Sequence, residues 1–280
     1  MDKELLLELS TSVLGLRPES IPLLYSQIKD GDRVIHQESV SLSDNMHYCW
    51  RESHLRELPS DSIVIIPIEG VMFKYYGVDD AADIIRAADD NPNIAGIILL
   101  FNTPGGSTQS LIQIEDALRT RRKPCSAYID GMCCSCGIYV ASFCDKIYAA
   151  NPMCEVGSIG AYISLCNMEK LYENLGVKII DVYPPESSKK NLPYRQALSG
   201  DTDLLIKEVL SPFAQHFQEI IKTNRTSIDL ECDGILEGRI YFAKDAINNG
   251  LIDGLKNLKE VAEEVRCNAI NYKSIITLKT

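Results

Sequence analysis

The 280-residue sequence lacks any apolar run approaching the ~20 residues that a membrane-crossing helix needs. Its N-terminal stretch, MDKELLLELSTSVLGL, is interrupted by acidic residues, so neither a secretory leader nor an anchor is expected there. Positive charge is also in deficit. With 28 Lys and Arg against 39 Asp and Glu the net charge is -11, which argues against a nucleic-acid binder, because phosphate neutralisation needs clustered basic side chains. Histidine is scarce at four residues, and three of them (His36, His47, His54) sit in a polar N-terminal stretch. Internal repeats and low-complexity segments are missing. The expected compartment is the cytoplasm.

Cysteine, by contrast, is plentiful at ten residues. Without an export signal, and in a chain long enough to bury a sizeable core, disulfide staples are not expected. Free cysteines in a reducing compartment behave mostly as small buried hydrophobes. Cys133 and Cys136 form one C-x-x-C, but a structural zinc needs a second ligand pair at suitable spacing. Cys144, Cys154 and Cys166 are spaced too irregularly to supply it, and the nearest histidines are far away in sequence.

Residues 1–58 read as an appendage: a short helix over Glu4–Val13 broken by Pro18 and Pro22, then a polar linker holding the only tryptophan, Trp50. From Ser62 the texture changes. SIVIIPIEGVMF reads as a buried strand, DDAADIIRAADDNPN as a helix, and IAGIILLFNTPGGS as a strand running into a Gly-Gly turn. SLIQIEDALRTRRK predicts a helix with basic residues in its last turn, PCSAYID a strand and GMCCSCGIYVASFC the next helix. KIYAANP, EVGSIGAYI and VKIIDVYP read as further strands, with NMEKLYENLG as a helix between the last two. Strands alternating with helices predict βαβ units and a mainly parallel sheet. Beyond residue 198, Leu205, Val209, Phe213, Phe217 and Ile221 recur every four residues as an amphipathic stripe, with Pro212 marking a kink or break. LEGRIYFAKDAINNGLIDGL closes the pattern as strand, helix and Gly cap. The expected division is an arm over 1–58, a main domain over 59–265 and a tail over 266–280.

Two features carry chemistry. FNTPGGS ends an apolar strand with adjacent glycines, Gly105 and Gly106, whose backbone can turn sharply and present free N–H groups. Ser135 lies at or near a helix start, where orphan N–H groups favour a developing negative charge, although a serine there is often just an N-cap. Together they supply a nucleophile and oxyanion donors for acyl transfer, but no base. None of the histidines falls at a strand end beside a glycine turn. Serine–lysine dyads are known variants of the triad, and VYPPESSKKNLPY offers Lys189 and Lys190 just past an expected strand end. Such a lysine must be neutral to accept a proton, which requires a desolvated site.

In this order the motifs resemble the signal peptide peptidase or protease IV family of the ClpP–crotonase superfamily, over about Ile63 to Leu255. IEGVMF resembles the first strand and its glycine. GIILLFNTPGGS is similar to the strand and oxyanion loop usually written Ser-Pro-Gly-Gly. CSCGIYVASFCDKIYAANPMCEVGSIGAY and GRIYFAKDAINNGLIDGL resemble the nucleophile block and the C-terminal signature. The resemblance implies an α/β ClpP/crotonase-like spiral of βαβ units with an N-terminal arm and a C-terminal helical part. It places the nucleophile on Ser135, the oxyanion turn on Gly105–Gly106 and the general base in 187–193. Lys189 is the expected base and Lys190 the alternative, because family members have four residues between Lys and Pro where Lys189 has three before Pro193. Ser158 is expected to line or hydrogen-bond the dyad. Cys136 departs from the family, standing where its first glycine after the serine is found.

No metal or other cofactor is implied. The implied activity is a serine endopeptidase without membrane anchor or nucleic-acid partner, acting on polypeptides as a homo-oligomeric ring in the bacterial host's cytoplasm. The phage and prophage branch, which processes capsid or scaffold proteins, is the nearest in pattern. A crotonase-type acyl-CoA enzyme and a non-catalytic capsid-assembly scaffold of the same fold are the other classes to weigh.

Overall fold

A computed structural model describes residues 14–15, 40–43, 45–74, 78–165 and 167–277. The helix expected over Glu4–Val13, together with Pro18, Pro22, His36 and Cys166, lies outside the described residues.

A ten-stranded sheet organises the chain, with β10-β7-β6-β5-β4-β3-β2 as its main path. Its centre is β4 (Ser62–Met72), β5 (Ile94–Ser107) and β6 (Cys125–Cys134), the long β-branched runs of the sequence. These pair in parallel with one another. On one side follow β7 (Lys146–Ala149) and β10 (Gly254–Leu255), also parallel; on the other lie β3 (Met46–Tyr48), parallel, and β2 (Val40–Ser43), antiparallel. The sheet thus takes in Val40–Ser43 and Met46–Tyr48, within the stretch expected as an arm. Two short strands branch off: β8 (Glu155–Gly157) extends β6 in parallel and β9 (Ile240–Phe242) pairs antiparallel with β8. Finally, β1 (Leu14–Gly15) lies antiparallel against the end of β5.

Parallel strands are buried on both faces, and here the pleat separates two cores. Val64, Ile66, Ile97, Leu99 and Phe101 face one side, where α1 (Val78–Asp90), α2 (Leu111–Thr120), α3 (Cys136–Ala141) and α6 (Ser211–Asn224) add Ile85, Ile114, Ile138 and Phe217. Ile63, Ile65, Ile98 and Leu100 face the other side, against Val261, Ala262 and Val265 of α8 (Leu258–Thr277). That helix runs across the expected start of the tail. Each fully buried aliphatic side chain contributes roughly 1.5–3 kcal/mol.

Residues 161–202 contrast with this. They contain α4 (Glu169–Asn174) and α5 (Leu192–Leu198), without a buried residue in either helix. VKIIDVYP, expected as a strand, pairs with no neighbour and is exposed or nearly so throughout. The break expected at Pro212 falls where a π-helical turn (Ile206–Leu210) gives way to α6, with the proline in its first turn. After α7 (Ala243–Asn248), Gly250 takes φ 76 as the expected cap. Among the described residues no helix is long and apolar enough to cross a membrane.

Candidate active site

The site forms where β6 leaves β5. The two strands run in step to Phe101 opposite Ile129, shift register, and meet for a last time at Thr103 and Cys133. β6 continues through Cys134, so the expected helix over GMCC is strand instead, and the helix begins only at Cys136. Ser135 makes the corner at φ 51, ψ -118. A non-glycine residue held there costs on the order of 1–3 kcal/mol, so the surroundings must enforce it. They do so through the backbone: the Ser135 N–H donates to the Gly157 carbonyl at 2.8 Å, and the Tyr139 N–H donates to the Ser135 carbonyl at 3.0 Å. Ser135 is 1% exposed, and its Oγ has no hydrogen-bond partner.

Gly157 reaches Ser135 because β8 pairs with the end of β6, Gly157 opposite Cys134. Its φ of 122 and the 2.5 Å that would separate an added Cβ from the Arg239 carbonyl both require glycine. Ser158 follows at φ 58, donating its N–H to the same carbonyl at 2.8 Å. The expected Ser158 therefore sits one residue from the backbone that fixes the corner, and its hydroxyl does not bond Ser135 Oγ.

The glycine pair is not a turn. β5 continues through it to Ser107, with Gly105 at φ 101 and a bulge-like register shift on β4 between Glu69 and Val71. Thr103 organises the segment, since its hydroxyl donates to the Gly70 carbonyl at 2.6 Å and accepts the Gly105 N–H at 3.1 Å. The Gly105 N–H is thereby committed. Gly106 differs: its carbonyl accepts from the Cys136 thiol at 3.3 Å. Burial pushes that thiol up to about 12, against the backbone hydrogen bond at Gly106, so it stays neutral. Sequence reasoning missed Thr103, although a hydroxyl stands at that point of the family loop too. It also left the effect of Cys136 open.

Lys189 and Lys190 occupy an exposed turn between Pro184 and α5, not the end of a strand. The Leu192 N–H donates to the Lys189 carbonyl, and the Lys190 N–H to that of Ser187. Because Ser135 Oγ is without a partner, neither lysine reaches it within one chain. The histidines are engaged elsewhere: His47 Nδ1 lies 2.9 Å from Ser41 Oγ, and His54 Nδ1 accepts the Trp50 N–H at 3.3 Å. His216 Nε2 lies 3.4 Å from the Tyr139 hydroxyl, which donates to Glu115 at 2.7 Å. Burial, and then that bond to Glu115, raises the Tyr139 pKa. Cys133 is fully buried and its thiol is pushed up by desolvation, a packing residue of the sheet. Among the described residues no three His, Cys, Asp or Glu side chains gather as a metal site would require.

A strained, buried serine at a strand end, beside the glycine strand whose Gly106 carbonyl accepts from the neighbouring Cys136 thiol, sits on a ClpP-like α/β fold. The Clp protease family model matches residues 77–155. The model of peptidase family S49 matches residues 117–270, more than half of the chain, and the protein belongs to that family. Protease 4 of Haemophilus influenzae is 24% identical over 230 residues, covering 76% of this chain and 37% of that protein. Protease 4 of Salmonella typhi is 28% identical over 182 residues, covering 64% of this chain and 29% of that protein. The chain thus spans well under half the length of these relatives. Among solved structures, the 1510-N membrane-bound stomatin-specific protease has a TM-score of 0.49 at 16% identity, covering 73% of this chain and 84% of that one.

Proposed function

We propose that this protein is a serine endopeptidase in which Ser135 is the nucleophile and Lys189 the general base. The observation that carries the reading is the buried, unpartnered Ser135 hydroxyl on its strained corner next to Gly106. A neutral lysine amine takes the hydroxyl proton as Oγ attacks a peptide carbonyl. The carbonyl electrons move onto oxygen, where the Gly106 N–H holds the oxyanion, Gly105 having spent its own N–H on Thr103. Collapse expels the amine, which leaves with the proton from the lysine, and water then hydrolyses the acyl-enzyme.

An exposed lysine is not yet such a base, because the neutral form has to be favoured by desolvation. Residues 161–202 also carry an apolar surface with nothing on it: Leu175, Val177, Ile179, Ile180 and Val182 are each at least half exposed. A surface of this kind marks an interaction site. In our reading copies of the chain associate through this segment as a homo-oligomeric ring, and association buries the lysine beside a serine. Lys190 is the alternative base. For substrate we favour polypeptides, with phage capsid or scaffold proteins as the class to test first.

The test is mass spectrometry of cleavage products from casein and from capsid or scaffold proteins. Wild type is compared with Ser135→Ala, Lys189→Ala and Lys190→Ala. Loss of cleavage with Ser135→Ala and with one lysine variant alone establishes the dyad and names its base. Equal behaviour of all four proteins defeats the peptidase reading and leaves a scaffold of the same fold.

A further inference from the structure

At Gly106, strand β5 has two edges. β4 takes one of them, with Met72 opposite Gly106. β6 holds the other only as far as Thr103 opposite Cys133, and then turns away into Ser135. The edge it vacates is the one that faces the nucleophile. It is not empty: Leu14 pairs with Ser107 and Gly15 with Gly106, antiparallel. Leu14–Gly15 of the same chain therefore lie extended along the residue assigned above as the oxyanion donor. A second observation agrees with this, since Ser135 in the same structure is 1% exposed, closed off from solvent.

An extended polypeptide adding to a strand edge is held by main-chain hydrogen bonds that depend little on its side chains. That is the way a peptide can bring a carbonyl to Ser135 while lying on Gly106 and Ser107. It is also the way β1 already lies. Two strands cannot take one edge.

We propose that the segment around Leu14–Gly15 is an intramolecular pseudosubstrate, an autoinhibitory strand that a polypeptide must displace to be cleaved. The proposal rests on the peptidase reading above. Tethering gives the strand an effective concentration of order millimolar, at the top of the usual range of KM values. Free substrate at micromolar concentration therefore competes poorly, and anything that draws the N-terminal segment away turns the enzyme on.

The test uses the full chain with Leu14→Pro and Gly15→Pro combined. In an antiparallel ladder one of two adjacent pairs exchanges both hydrogen bonds, so two prolines remove the ladder N–H whichever pair it is. Two rates are read: cleavage of casein, and labelling of Ser135 by a peptidyl diphenyl phosphonate, followed by intact mass. In the labelling step Oγ forms an O–P bond as phenol leaves with the serine proton. Both rates are expected to rise about ten-fold or more in the proline variant. A synthetic peptide of residues 10–18, STSVLGLRP, added in trans is expected to bring both back down. Equal, measurable rates in variant and wild type overturn the proposal. So does a wild-type chain clipped beside Gly15 when Ser135→Ala stays whole, because a strand that is cut is a substrate. Absence of labelling and cleavage in both proteins instead sinks the peptidase reading, and the proposal with it.

Discussion

The two lysines and the serine assigned to one reaction sit in regions built on opposite principles. Ser135 is enclosed by β5, β6, β8 and α3, where Phe101, Ile129, Ile138 and Val156 are all fully buried and backbone ladders fix every register. Lys189 and Lys190 sit in a stretch whose helices bury nothing and whose apolar residues face outward. Folding of one chain is sufficient to shape the first region. The second has a hydrophobic surface but no buried residue in either of its helices. On the proposed reading, Ser135 and the Gly106 strand are set by stability and the lysine by association.

The sharpest way to break this contrast is Gly106→Ala. An added Cβ would sit 1.9 Å from the Met72 carbonyl, a backbone atom that cannot step aside, so β4 and β5 must separate beside the proposed oxyanion donor. Peptidase activity is expected to fall by about 100-fold or more, with a stability loss of roughly 2–4 kcal/mol by urea unfolding. Next comes Asp253→Asn, which probes the rigid region away from the site. Asp253 accepts from Arg225 at 2.9 Å and from the Ile147 N–H at 2.8 Å, and Lys146 lies 3.2 Å away. Burial works to raise its pKa, but the Arg225 bond, the Ile147 N–H and the neighbouring charges outweigh it and hold the carboxyl below the ordinary value.

A depressed folded pKa means that the unfolded chain binds the proton first. The stabilisation is then complete above the unfolded carboxylate pKa, about 3.9, and is lost as pH falls through the folded one. Asp253→Asn should cost about 2–4 kcal/mol at pH 7, because the buried Arg225 loses its partner. The gap to wild type should shrink on acidification in paired unfolding curves at pH 7 and pH 3. A gap independent of pH would show that the ion pair adds nothing.

Ser135→Ala sharpens the comparison from the other direction. It removes a buried hydroxyl with no partner within hydrogen-bond distance, so the unfolding free energy should hold or rise, by about 1 kcal/mol at most, although cleavage is lost. The smallest expected effect is that of Val182→Ser. At 84% exposure it should leave the stability of the single chain within about 0.5 kcal/mol while shifting the sedimentation profile toward smaller species. A large stability loss with unchanged sedimentation would place Val182 in a core and remove the contrast.

The central sheet was legible because Ile63–Ile68 and Ile94–Phe101 are β-branched and apolar runs too dense for a half-exposed strand. VKIIDVYP has the same texture and is not in the sheet. Strand propensity says that a segment suits a pleated surface, not that a partner strand is there to receive it. The Gly-Gly pair misled for a related reason, since glycine's freedom serves a bulged strand as well as a turn. At the site, Ser135 and the glycines were placed by motif order. What holds them was out of reach: Thr103 bonds a carbonyl 33 positions away and Cys136 one 30 positions away. Contacts of that span leave no periodicity to read. The pairing of Gly15 with Gly106 is further still from anything a local pattern records.

The corner at Ser135 also has a consequence for the order in which the protein becomes competent. Its N–H is held by Gly157, whose strand leans on Ile240, while Ser158 is tied to Arg239. A ribosome making this chain releases the serine a hundred residues before the strand that secures it. Until β9 arrives the corner has no reason to keep its unfavourable geometry, and the nascent chain carries a serine that is only a serine. The strained geometry at Ser135 is therefore completed only once residues 239–242 have been made.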